Sequence, residues 1–138
     1  MKAPAALAPS MNQTNLVCIV CPLGCALTAT PPSGETPWQV TGNRCVRGLE
    51  YAIEELTTPR RVLTTTVTAV GGELRRLPVK TARPIPKELL LMAAAHLAAV
   101  KVAAPVHLGE VIVPDLLGTG VPVVATRDLT LAGGEKEC

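Results

Sequence analysis

Residues 18–25 read Cys18-Ile19-Val20-Cys21-Pro22-Leu23-Gly24-Cys25, and a fourth cysteine follows at Cys45. The spacing is C-x2-C-x3-C-x19-C. Three thiols in one short segment, with a fourth returned by a folded excursion, can converge on one centre. Thiolates select zinc or iron–sulfur clusters over hard cations. Pro22 stiffens the start of the turn between the second and third sulfurs, and Gly24 lets it be tight. Structural zinc sites usually draw cysteines in two close pairs, whereas here three crowd together and one stands apart. That arrangement suits a 4Fe–4S cluster held from one loop and one distant point, with a four-cysteine zinc site as the alternative and oxidised thiols as a third reading. The candidate ligands are Cys18, Cys21, Cys25 and Cys45. Cys138 has no such neighbours and is left out. An odd cysteine count without an export signal argues against a disulfide framework.

Around these cysteines the chain reads as a small lobe. Leu16–Cys21 begins as a short strand entering the loop. Ala26–Thr30 and Trp38–Thr41 flank a segment rich in Pro and Gly, Pro31–Pro37, and predict a β-hairpin that carries the chain away and returns it for Cys45. Trp38 is expected to fill a small core in preference to lying over the cluster. After Cys45, the apolar residues Val46, Leu49, Ile53 and Leu56 form one buried helical stripe, with Glu50, Glu54 and Glu55 toward solvent and Pro59 ending the run. Arg47 falls in the first turn. A cation beside a cluster favours its reduced state and raises its potential, so Arg47, with Arg44, is a candidate tuning residue; the other reading is an ordinary solvated arginine.

Further on, Thr64–Val70 is β-branched and alternating, Gly71-Gly72 closes a tight hairpin, and Glu73–Val79 returns. The doublets Arg60-Arg61 and Arg75-Arg76 are either brought together by this hairpin or are solvated strand ends. Pro86 fits the first turn of a second helix, Lys87–Val100, rich in Ala and Leu on most of its surface and so buried between layers or covered by a partner chain. His96 has no second ligand at helical spacing and is read as a half-exposed or satisfied histidine. Val106–Arg127 holds three short extended pieces. Gly118-Thr119-Gly120 is a tight turn, since no Lys or Ser follows at phosphate-loop spacing. There is no G-x-G-x-x-G, no Ser–His–acid set and no paired-carboxylate site.

Composition narrows the classes. In 138 residues, 13 basic side chains nearly balance 11 acidic ones, which gives no reason to expect nucleic acid or a membrane surface as partner. One Trp, one Tyr and no Phe exclude base-stacking platforms and demand an aliphatic core. Two His cannot build a multi-histidine metal site. Met1–Asn15 lacks the apolar run of a secretory signal, and Met11 is an alternative start to Met1. Leu89–Val100, the longest apolar stretch, falls short of the ~20 residues that span a bilayer. The expectation is a cytoplasmic α+β protein: a tail at 1–14, a small cysteine-ligated metal lobe at 15–58, a β-rich lobe with one long helix at 59–131, and a tail at 132–138.

Two resemblances extend this reading. The run Cys18–Cys25, then Val40-Thr41-Gly42-Asn43, then Cys45-Val46-Arg47-Gly48 is similar to the N-terminal iron–sulfur domain of the molybdopterin oxidoreductases, with a shorter excursion and no pterin-binding domains after it. More widely, the chain resembles a small bacterial and archaeal family of undefined function. The blocks that carry this likeness are C-x2-C-P-x-G-C, G-N-x-C-x-R-G, Tyr51-Ala52 with Glu54, Pro59-Arg60, Leu63–Val67, Leu77–Thr81, Pro84–Lys87, and Gly118–Val121 with Val124–Arg127. Glu110 stands where an Asp is expected. Members of that family are typically encoded beside FAD-dependent dehydrogenases resembling anaerobic glycerol-3-phosphate dehydrogenase, and beside NAD(P)/FAD flavoproteins. The resemblance implies an electron-transfer accessory subunit of an oxidoreductase complex, not an enzyme on its own. A redox-inert zinc module that assembles the same flavoenzyme is the alternative.

Overall fold

Thr14–Val17 (β1), Ala26–Thr30 (β2) and Gln39–Thr41 (β3) form an antiparallel sheet in the order β1-β2-β3, with Val17 opposite Ala26 and Ala29 opposite Val40. The computed structural model describes residues 12–133. Cys138 and most of both expected terminal tails therefore lie outside the described residues. The chain divides into two units, Met1–Pro59 and Arg60–Cys138.

In the first unit the sheet is followed by a helix, Val46–Thr57 (α1), which lies against β2 and β3. Alternation along β2 buries Leu27 and Ala29 on one face. Cys18, Leu27 and Ala52 form the core, with Leu16, Cys25, Val40 and Tyr51 packed against it. Trp38 is half-buried and stands outside that group, so it is not the core filler expected. The helix also turns a different line inward. Its buried residues are Gly48 and Ala52, Leu49, Ile53 and Leu56 are only half-buried, and Val46 is 62% exposed. Small side chains let the backbones approach, and the larger aliphatics straddle the contact. A Cβ on Gly48 would sit 2.8 Å from the Asn43 Cβ. Gly42 has φ +87°, and a Cβ there would run into the Ala26 carbonyl oxygen. These two glycines let the chain turn beneath β2 and start the helix beside it. Thr58 N–H donates to the Glu54 carbonyl to close the helix, and Pro59 follows.

The second unit comprises Arg60–Arg61 (β4), Thr64–Val70 (β5), Arg76–Thr81 (β6), Ile85–Pro86 (β7), a 3-10 turn at Lys87–Leu89, Leu90–Ala98 (α2), Lys101–Ala103 (β8), Val111–Val113 (β9) and Val123–Ala125 (β10). Five strands form a mixed sheet in the order β8-β5-β6-β10-β9, and β4 pairs with β7. Only β5 and β8 run parallel in that sheet, which requires a crossover; α2 leads into β8 and packs on β5. Val67, Leu77, Val79, Val123 and Ala125 from the sheet meet Ala93 and Leu97 of α2, all fully buried. Thr81 is the buried polar residue; its hydroxyl accepts the Leu63 N–H at 3.0 Å. The core is aliphatic throughout, as the composition requires. The fold class is α+β, with a β-rich sheet beside its helices.

One local expectation is corrected, and two pairs of alternatives are narrowed. The β5–β6 ladder ends at Thr68 opposite Arg76, with Ala69 N–H donating to the Arg75 carbonyl beyond it. Gly71-Gly72 is thus part of a longer loop, held by Glu73 N–H to Thr130 O and Ala132 N–H to Gly71 O. The arginine doublets are not brought together: Arg60-Arg61 precede the Thr64–Lys80 end of the hairpin, and Arg75-Arg76 lie at its other end. Finally, α2 is one-sided, with Leu91 at 86% and Met92 at 61% exposure. No helix of the described residues is long and apolar enough to cross a membrane.

Candidate metal centre

The β1–β2 register continues past the strands. Val17 opposes Ala26, and the next pair outward is Cys18 and Cys25, whose backbones are joined by Cys18 N–H to Cys25 O at 2.9 Å. Residues opposite each other on a ladder share a face. Leu16 and Leu27 occupy the same face one step inward, and all four side chains belong to the small core. Cys18 is buried and Cys25 half-buried. Between them the chain turns at Cys21-Pro22-Leu23-Gly24, where Gly24 N–H points to the Cys21 carbonyl at 3.5 Å. That turn leaves Cys21 half-buried at its head.

Cys45 reaches the same unit from the helix. It is the residue before α1, extended at φ −149° and ψ 169°, and exposed. Asn43 Nδ2 donates to its carbonyl at 3.1 Å, and Gly48 N–H donates to the same carbonyl at 3.2 Å. The sulfur makes no capping hydrogen bond of ordinary length. Even so, the Gly48 amide, then the Arg47 guanidinium and the Arg47 amide, hold the Cys45 thiol below its usual pKa. Arg47 is pushed the other way: Cys45 first, then Cys21 and Cys18, favour its charged form. One guanidinium therefore lies in the field of three of the four thiols. Arg44 is exposed and adjoins Cys45 in sequence.

The four cysteines among the described residues are free thiols. Among the described residues, no group of three or more His, Cys, Asp or Glu is arranged to hold a metal ion. The donor set fits a thiolate-bound metal in its chemistry, but its sulfurs are not gathered into a coordination sphere. Sequence reasoning missed the apolar setting of these thiols. Val17, Ile19, Val20, Leu23 and Val46 are all exposed, interleaved with the cysteines. For Ile19, Val20 and Leu23 the signal was the sequence itself: apolar residues filling a loop that has neither strand nor helix period.

Other motifs resolve as structure. Gly118-Thr119-Gly120 is a turn whose donors are spent internally: Gly120 N–H goes to Asp115 Oδ1 at 2.7 Å, and Thr119 Oγ1 to the Leu116 carbonyl at 2.6 Å. Arg83 donates to the Gly120 carbonyl from outside. His96 is exposed. An open cleft of about 460 Å³ lies over the sheet between Lys80, Leu108 and Thr126.

The molecule is thus an α+β protein whose first unit concentrates four free thiols. The chain belongs to the family described as "Protein of unknown function (DUF1667)", which matches residues 46–127. Cys18, Cys21, Cys25 and Cys45 precede the matched residues. Among solved structures, the NMR structure of Clostridium perfringens protein CPE0013 is similar in fold, with a TM-score of 0.52 and 21% identity, covering 57% of this chain and 94% of that one. No curated protein matches the chain.

Proposed function

We propose that the first unit carries a 4Fe–4S cluster on Cys18, Cys21, Cys25 and Cys45 and serves as an electron-transfer accessory subunit. The observation that carries this reading is the local backbone design. The register sets Cys18 beside Cys25, the turn holds Cys21 between them, and Gly42 and Gly48 start α1 where Arg47 feels Cys45, Cys21 and Cys18 together. When bound, such a cluster supplies one-electron transfer with no substrate on iron, because four thiolates fill its protein-facing positions. Loading requires the turn and Cys45 to draw in toward the buried Cys18. Arg47 would then offset the negative charge of the thiolates, and the now exposed Ile19, Leu23 and Val46 would be the side chains at hand to shield the sulfurs from water. Thiols that must stay reduced go with a cytoplasmic location.

The partners follow from resemblance. Likeness to the iron–sulfur domain of molybdopterin oxidoreductases supports the cluster. The family context implies an FAD-dependent dehydrogenase of the glycerol-3-phosphate dehydrogenase type as one partner and an NAD(P)/FAD flavoprotein as a second. Flavin, which passes one or two electrons, would oxidise the substrate on the partner chain. The alternative, a redox-inert zinc module, is favoured by one observation: a first unit with only four buried side chains among the described residues, Cys18, Leu27, Ala29 and Ala52, which small units commonly supplement with a metal.

Anaerobic purification from the native host, with metal, sulfide and subunit analysis, tests both. Brown protein with iron and acid-labile sulfide, bleached by dithionite and copurifying with a flavoprotein, is the expected result. Colourless protein with one zinc per chain overturns the relay and leaves the alternative; a chain that retains neither metal overturns both.

A further inference from the structure

We propose that Cys18 and Cys25 form a cross-strand dithiol that closes to a disulfide, making this pair a site of reversible covalent modification. Three observations meet at the pair. The two residues continue the β1–β2 register beyond Val17 and Ala26, and Cys18 N–H is bonded to the Cys25 carbonyl at 2.9 Å. Directly opposed residues on an antiparallel ladder have Cα atoms about 4.5–5.5 Å apart, within the Cα range that disulfides span. Both side chains lie on the face that carries Leu16 and Leu27, and both belong to the same small core. Cys21 lies at the head of the turn, outside this register, and Cys45 comes from the helix start. Neither opposes another cysteine across a ladder.

Burial sets the order of events. Cys25 is half-buried and Cys18 buried, so Cys25 meets the oxidant first. The oxidant is a low-molecular-weight disulfide. The Cys25 thiolate attacks one of its sulfurs, the S–S bond breaks, and one small thiolate leaves with a mixed disulfide formed on Cys25. Cys18 then gives up its proton and attacks the Cys25 sulfur, expelling the second small thiol. In sum, the chain loses two protons and two electrons, and one small disulfide becomes two thiols.

Closure itself does not depend on the metal reading. Its consequence does: with Cys18 and Cys25 joined, two of the four proposed ligands are gone, so oxidation and metal binding exclude each other.

The test uses the reduced, metal-free full chain. Oxidised glutathione is added, free thiols are alkylated, the disulfide is reduced, and newly freed thiols are labelled with a second reagent whose positions are read by tandem mass spectrometry. The expected map has the second label on Cys18 and Cys25 and the first on Cys21; the exposed Cys45 takes either label, and the non-reduced peptide map shows Cys18 joined to Cys25 and any glutathione on Cys45 alone. Cys21→Ser keeps the closed product, with the mass of two hydrogens lost. Cys25→Ser, at the half-buried position, abolishes it and leaves Cys18 without a partner. A disulfide joining Cys18 or Cys25 to any other cysteine of the chain, a glutathione adduct on Cys18 or Cys25 that never resolves, or no oxidation of this pair overturns the proposal. Zinc alone is then titrated into both forms. Loss of zinc uptake on oxidation, restored by dithiothreitol, supports mutual exclusion, and uptake that oxidation leaves unchanged overturns it. If the reduced chain takes up no zinc, metal binding at these thiols fails while the disulfide map stands on its own result.

Discussion

The two units of this chain are stabilised by different means. Among the described residues, the second gathers twelve buried side chains into one aliphatic core, drawn from three central strands, β7, α2 and the segments around Val106, Leu116–Val121 and Leu129. The first has four, two of them alanines and one the thiol Cys18. A unit so poor in buried apolar area gains little from water exclusion and must lean on something else. The candidates are visible in its own sequence: four thiols, and two glycines that bring helix and sheet into backbone contact. The second unit is a fold specified by burial. The first is specified by close approach, and its thiols are available for cross-linking.

The most demanding test of this contrast is to strip metal from the natively loaded protein and follow amide exchange. If a thiolate-bound metal holds the first unit together, that unit loses protection along β1–β3 and α1 while the second retains it. Structural metal sites contribute on the order of 10 kcal/mol, so this effect should exceed any single substitution. Equal protection before and after chelation would mean that the first unit stands without a metal. The next test lies in the second unit. Leu77 is fully buried on β6, opposite Val67. Leu77→Ala is expected to cost about 2–5 kcal/mol of that unit's stability in urea denaturation, leaving the first unit's transition in place. A coincident shift of both transitions would erase the distinction.

How much of this could be read from the chain follows the same division. The β2–β3 hairpin, the helix ended by Pro59 and the β5 strand were legible because each has its own period and its own punctuation in Gly or Pro. The strand order β8-β5-β6-β10-β9 was not, since pairing between distant short strands leaves no local trace. In α1 the period was legible and the buried face was not. The apolar count favours Val46, Leu49, Ile53 and Leu56, but the helix turns Gly48 and Ala52 inward. Hydrophobicity ranks side chains by what they gain from burial, whereas a close helix–sheet contact selects those with least to obstruct it. The thiol segment was legible as chemistry from its spacing. Its exposed collar of Ile19, Val20 and Leu23 was not, because apolar residues without a period do not say which way they point.

That close contact gives an intermediate-sized test. Gly48→Ala places a methyl 2.8 Å from the Asn43 Cβ and 3.6 Å from Leu27 Cδ2. Helix propensity favours the change by about 0.5–1 kcal/mol, but overpacking costs typically 1–3 kcal/mol, so a net loss in the first unit is expected. Thermal unfolding monitored at Trp38 or Tyr51, both in the first unit, reads it directly. A gain in stability would show that the helix can shift outward freely, and the close-approach account of this unit would fail.

The smallest expected effect concerns Cys45 in the metal-free, reduced chain, where reactivity separates two thiols of one unit. Cys45 is exposed, and the Gly48 amide, followed by the Arg47 guanidinium, holds its pKa below the usual thiol value. Cys18 is buried and its reagent access is limited. Because the thiolate is the nucleophile, lowering the pKa raises the reactive fraction at pH values below the ordinary thiol pKa. Iodoacetamide should therefore label Cys45 well ahead of Cys18, with its rate rising and levelling at lower pH than a free thiol's. Arg47→Ala removes the second-largest stabiliser of the thiolate and keeps the first. The profile should move partway back toward higher pH, with the difference from the parent vanishing once both thiols are fully ionised. Salt should weaken the arginine's share in the parent, since both groups face solvent, and leave the variant's profile almost unmoved. A profile indifferent to both the substitution and salt would mean that Arg47 does not act on the sulfur at the head of α1, and the arginine would then be no more than a solvated residue of the first helical turn.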